Sequence, residues 1–72
     1  MENDERIKLR TLLNYWIKHN QEHSREFKEW AGKVKGWGEA EAGKKMLQAT
    51  QEMNKVSEFL SQALSKLEKK EL

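Results

Sequence analysis

Two histidines, His19 and His23, stand four residues apart in the segment YWIKHNQEHSREFKEW, residues 15–30. On a helix, that spacing puts both imidazoles on one face, about a turn apart. A helix that grips a transition-metal ion with two nitrogens uses this spacing. Glu22 and Glu26 supply oxygens close by, and Met53 in the second half of the chain is a candidate third contact, with Glu52 beside it. The same histidine pair from a second chain would complete four nitrogens. Imidazole suits zinc, copper, nickel and iron alike, so the spacing does not choose the metal. A plain alternative exists for both rings: they pack along a partly apolar face, each hydrogen-bonded to a neighbour. In that case their titration would loosen the fold in acid.

The elements that must position these rings follow from the glycines. All four lie between Gly32 and Gly43, and the chain has no proline. Glycine takes turn conformations at little steric cost, so Gly36 and Gly38, with Trp37 between them, predict a turn over residues 36–39. The flanks are long runs of good helix formers, predicting helices over about 4–35 and 40–70 in a single helical domain, 1–72. Asn3 or Asp4 is the expected N-cap.

Periodicity then assigns faces. Leu9, Leu12, Trp16, His19, His23, Phe27, Trp30 and Val34 advance in steps of three or four, with one extra step of four after His23 that resembles a stutter. Ala42, Met46, Ala49, Met53, Val56, Leu60, Ala63 and Leu67 alternate strictly between four and three. These two stripes are expected to form the seam of an antiparallel hairpin, with both imidazoles on its inner side. Folding about Trp37 and Gly38 sets residues whose numbers sum to about 76 opposite one another, so His23 is expected near Met53. Leu13, Ile17, Leu47, Phe59 and Leu64 widen the stripe beyond what one seam covers, which predicts pairing of two hairpins into a homodimeric four-helix bundle. The alternative is a monomeric three-helix bundle in which the first helix breaks near His19 and Asn20. Trp37 is expected to fold back over the end of the bundle or to anchor a partner protein.

Composition closes off other classes. A chain of 72 residues is one domain at most, and a core that small supplies only about 3–5 kcal/mol. It has no cysteine, which excludes disulfides and thiolate zinc sites. Charged residues make up 36% of the chain but nearly cancel, at a net +2, as on solvated helix faces rather than a nucleic-acid module. No apolar run is long enough to span a membrane, and MENDERIKLR does not read as a signal peptide, so a cytoplasmic protein is expected. No nucleophile elbow, phosphate loop or Glu-x-x-His pair is present, so no catalysis is expected.

Residues 12–31, LLNYWIKHNQEHSREFKEWA, resemble a group of small, uncharacterised, mostly archaeal and anaerobic-bacterial helical proteins. That group shares a Leu-x-x-x-Trp-x-x-His-Asn-x-x-His segment followed by an aromatic residue and Trp-Ala. Leu12, Trp16, His19, Asn20, His23, Phe27, Trp30 and Ala31 match the pattern, while Tyr15 stands where some members carry a further histidine. The second half is similar only as an Ala- and Leu-rich amphipathic helix. The resemblance implies nickel or cobalt handling without implying a reaction. Two functions are therefore carried forward. The first is a small metal-binding accessory protein using His19 and His23, with Glu22, Glu26 or Met53 assisting and nickel, cobalt or zinc as the ion. The second is a structural or protein-interaction bundle whose histidines only pack.

Overall fold

Long runs of Leu, Glu, Lys, Gln and Arg favour helix at nearly every position, and nothing but the glycine segment interrupts them. A computed structural model describes residues 4–69, and among these it contains two helices and no strand. Helix α1 spans Asp4–Gly36 and α2 spans Ala40–Lys69. Asp4 and Glu5 lie in the first turn of α1 and Lys33 and Lys35 in its last, complementing the helix dipole at both ends. Asn3, the other expected cap, lies outside the described residues, as does Lys70 at the expected end of α2. Helix α1 runs unbroken through His19 and Asn20, which excludes the three-helix alternative.

The chain reverses where the glycines predict. Gly38 adopts φ +89°, the left-handed conformation that favours glycine. The Glu39 amide donates to the Val34 carbonyl at 3.2 Å and the Gly38 amide to the Lys35 carbonyl at 3.0 Å. This is a Schellman cap with Gly38 at its C′ position, satisfying carbonyls that the helix end would otherwise leave unpaired. The Glu39 carbonyl then accepts from the Gly43 amide at 3.0 Å and starts α2.

The helices lie side by side in a hairpin with extents of 57 × 15 × 12 Å. The expected register holds. Ser24 bonds to Asn54 and reaches Thr50, residues that bracket its expected partner, and Arg6 donates to the Leu67 carbonyl at 3.3 Å. The faces, however, are rotated from the expected ones. On α1 the buried and half-buried positions are Arg6, Arg10, Leu13, Ile17, Asn20, Ser24, Phe27, Ala31 and Val34, joined by His23. On α2 they are Gly43, Met46, Thr50, Met53, Ser57, Leu60, Leu64 and Leu67, joined by Leu47. Apart from the two joined residues, both sets alternate between three and four without a stutter, as a heptad seam requires.

The physical reason for the rotation lies at the turn. Only Trp37, Gly38 and Glu39 link the helices, so the two backbones must approach closely there. A Cβ built on Gly43 would stand 2.6 Å from the Lys35 Cγ and 3.1 Å from the Ala31 carbonyl oxygen. Ala31 and Gly43 fit between the helices at that distance, whereas Trp30 does not and stays outside. The result is a slim seam. Among the described residues, the buried apolar side chains are Leu13 and Ala31, at 3% and 0% exposure, and Ser24, Thr50 and Ser57 are buried beside them.

Candidate functional site

Rotating the seam leaves two unlike flanks. Gln21, Arg25 and Lys28 from α1 and Leu47, Gln51 and Asn54 from α2 line one open groove of about 660 Å³, so these residues share one flank of the hairpin. The other flank carries, on α1, Leu9, Leu12, Trp16, His19, His23 and Trp30, and on α2, Ala42, Ala49, Val56, Phe59 and Ala63. Leu9, Leu12, Trp16, Trp30, Val56 and Phe59 are all exposed there. The stripes read as the inner seam are therefore split: Phe27, Val34, Met46, Met53, Leu60 and Leu67 lie in the seam, while Leu9, Leu12, Trp16, His19, Trp30, Ala42, Ala49, Val56 and Ala63 are exposed. Burial takes the small and hydroxyl-bearing residues inside and leaves the indoles out.

The two imidazoles lie on this face near the middle of α1. His23 Nε2 and His19 Nε2 are 2.9 Å apart, and the rings meet edge to face with centroids 4.3 Å apart. His23 Nδ1 lies 3.3 Å from Glu26 Oε1. A proton on His23 Nδ1 serves that carboxylate and leaves Nε2 as an acceptor for the N–H of His19, so one assignment of tautomers satisfies both contacts. The carboxylate also fixes the orientation of the ring, as carboxylate partners of metal-binding histidines do.

Two aromatic rings extend the pair into a ladder at four-residue spacing. Tyr15 stacks on His19 with centroids 5.4 Å apart and planes 13° apart. Phe27 stacks on His23 at 5.9 Å and 20°. Reading by type assigned Phe27 to the core and gave Tyr15 no role, yet the spacing 15, 19, 23, 27 was the signal that all four rings meet.

The remaining predicted ligands divide. Glu22 lines a small recess of about 170 Å³ with Tyr15, Lys18 and His19. Met53 is half-buried in the inter-helix seam, and His23 is half-buried at that seam's edge, while His19 is exposed. Glu52 instead pairs with Lys55 at 3.3 Å. Among the described residues, no group of three or more His, Cys, Asp or Glu side chains is arranged to hold a metal ion. Trp37 remains 66% exposed, its ring edge-on to the exposed Trp30 at 6.4 Å, with Lys33 Nζ 4.3 Å above the Trp30 ring.

Among the described residues, no helix is long and apolar enough to cross a membrane. No curated relative and no solved structure matches the chain. A family model does match, over residues 9–67, spanning the hairpin and its exposed aromatic face. The chain thus belongs to the family described as a domain of unknown function (DUF8180).

Proposed function

We propose that this protein is a small, cytoplasmic, non-catalytic metal-binding accessory protein that takes a divalent transition ion (nickel, cobalt or zinc) on His19 and His23. The carrying observation is the 2.9 Å separation of the two Nε2 atoms. Metal–imidazole bonds run about 2.0–2.1 Å, so two nitrogens at that separation subtend about 90° at a shared ion. That is the angle between neighbouring ligands in square-planar or octahedral sites, which favours nickel or copper(II); tetrahedral zinc requires the nitrogens to open to about 3.3 Å. Glu26 supports the reading by engaging Nδ1 of His23, which keeps the His23 Nε2 lone pair turned toward His19, where an ion would take the place of the shared proton.

Metal analysis of protein purified without an affinity tag tests the reading, together with melting curves in nickel, cobalt, zinc and copper(I). An ion that binds only the folded chain raises the melting temperature by mass action. His19→Ala and His23→Ala should each abolish the rise, and Glu26→Gln should weaken binding by about 10–100-fold. The competing reading is a structural or interaction bundle whose imidazoles satisfy each other through their own hydrogen bond. A melting point indifferent to every ion would leave that one standing.

A further inference from the structure

The flank opposite the imidazoles is built of charge and amide rather than indole. Its groove of about 660 Å³ has the volume of a small-molecule site. Along α1 its wall runs from Gln21 to Lys28, a rise of about 10 Å. That length suits a small molecule. The α1 wall carries Arg25 and Lys28, and the α2 wall carries Asn54, Gln51 and the half-buried Leu47. None of the described lining residues is acidic, although the chain has 12 Asp and Glu against 14 Lys and Arg.

The donors on these walls are unspent. Among the described residues, no ion pair or hydrogen bond engages Arg25 or Lys28, even though Glu29 stands four residues beyond Arg25. Asn54 has a fixed polarity. The hydroxyl of Ser24, a residue only 6% exposed, donates to Asn54 Oδ1 at 2.7 Å, the usual length of an O–H···O bond. The amide therefore turns its acceptor to the groove floor and keeps the two N–H donors of Nδ2 for the open side. The same bond sets Asn54 level with Ser24, beside Arg25, and Lys28 follows about 4.5 Å along the α1 wall. Three donor groups and two positive charges thus share one stretch of groove.

That set has a chemical complement. A phosphate monoester carries a charge of about −1.5 to −2 at pH 7 and three acceptor oxygens. A carboxylate brings one charge and two oxygens, which would leave one cation uncompensated. The planar guanidinium of Arg25 can take two phosphate oxygens in parallel. Leu47 and the Gln51 amide then remain for the organic part, one for its apolar face and one for its hydroxyls. We propose that this groove binds a small phosphate monoester with a hydroxylated body, a sugar phosphate in kind. Arg25, Lys28 and Asn54 hold the phosphate, and Ser24 acts as a positioning residue that orients Asn54. The site stands apart from the metal-binding reading and does not depend on it.

The test follows the full, metal-stripped chain by NMR during titration with glucose 6-phosphate, inorganic phosphate, succinate and glucose. Glucose 6-phosphate should move the Asn54 side-chain NH2 and the Arg25 Nε–H signals to saturation. Inorganic phosphate should move the same signals but bind more weakly, succinate should bind at least about tenfold more weakly than the ester, and glucose should move nothing. Arg25→Gln and Lys28→Gln should each weaken ester binding about 10–100-fold, whereas Lys66→Gln, outside the groove, should leave it unchanged. Asn54→Asp is the sharper variant. It keeps an oxygen for the Ser24 hydroxyl and replaces the outward donor with a charged acceptor, so it should abolish binding, while Asn54→Ala should only weaken it. All of these positions are exposed, and circular dichroism checks that helix is retained. If Asn54→Asp loosens the chain, Arg25→Gln and Lys28→Gln still decide.

Four outcomes overturn the proposal. Shifts that never saturate, or that spread equally to lysines such as Lys66, reduce the groove to diffuse surface charge. Succinate binding as tightly as the ester removes the assignment to phosphate. Inorganic phosphate binding as tightly as the ester removes the organic body. Undiminished binding by Asn54→Asp removes the oriented donor on which the site is built.

Discussion

Ser24 and Ser57 present the same side chain, on the same seam, at nearly the same burial, 6% and 7% exposed. They differ in one respect. The Ser24 hydroxyl donates to Asn54 Oδ1 at 2.7 Å, whereas the buried Ser57 Oγ has no hydrogen-bond partner among the described residues. Alanine at either site gains about 0.5 kcal/mol of helix propensity. At Ser57 it also removes an unpaired buried hydroxyl, whose desolvation costs about 1–3 kcal/mol. At Ser24 it deletes a bond worth about 0.5–1.5 kcal/mol net, while Asn54, which is exposed, turns to water. Ser57→Ala should therefore stabilise by about 1.5–3.5 kcal/mol and Ser24→Ala should cost roughly 0.5 kcal/mol, opposite signs from one chemical change. Urea unfolding at a fixed chain concentration separates them, since a self-associating chain has a concentration-dependent stability. In thermal melts, a difference near 2 kcal/mol corresponds to roughly 8–16 °C for a chain of this size. If the two variants shift in the same direction by amounts within about 0.5 kcal/mol, partner satisfaction does not govern this seam and the reasoning fails.

The glycines should divide in the same manner. An alanine Cβ at Gly32 meets nothing within 4 Å, so Gly32→Ala should gain about 0.8–1 kcal/mol by helix propensity, whereas Gly43→Ala forces its Cβ against Lys35 and the Ala31 carbonyl and should lose that gain and more, by about 1–3 kcal/mol of overpacking; paired melts read both. Gly38→Ala meets no neighbour either, yet must hold φ near +89°, so it should cost about 1–2 kcal/mol despite the open space around it, again by denaturant titration. Ion affinity at His19 and His23 should fall as pH is lowered, because ligating imidazoles must be deprotonated and protons compete with the ion; isothermal titration at several pH values measures this, and a pH-independent affinity would point to ligands other than imidazole.

The hairpin was legible because its signals are local. An absence of proline, helix formers on both sides and Gly38 at one left-handed position decide two helices and a turn without reference to packing. Register followed from the position of that turn. The rotation of the helices about their own axes did not follow, because α1 carries two overlapping stripes and hydrophobicity favours the wrong one. The stripe of Leu9, Leu12, Trp16 and Trp30 is the more apolar, but the seam belongs to Ala31, Ser24 and Leu13, facing Gly43 and Thr50. Side-chain volume decides this: a three-residue link at the turn admits only small residues between the backbones. The same rotation explains how the meeting of the two imidazoles was legible while the exposure of the face they share was not. Spacing of four fixes that His19 and His23 meet and that Glu26 can reach His23, since those are properties of a single helix. Met53 belongs to the other helix, and its relation to the rings depends on the one angle that periodicity left undecided.

The Trp30–Trp37 contact has a practical consequence. Two indoles 6.4 Å apart at 69° can couple their transition dipoles, so the turn end of the hairpin carries an optical signature of its own. Trp16, some fourteen residues away along α1, reports from a separate neighbourhood beside the imidazoles. Closure of the loop and events at the ring ladder can then be followed independently, with native chromophores and no added dye.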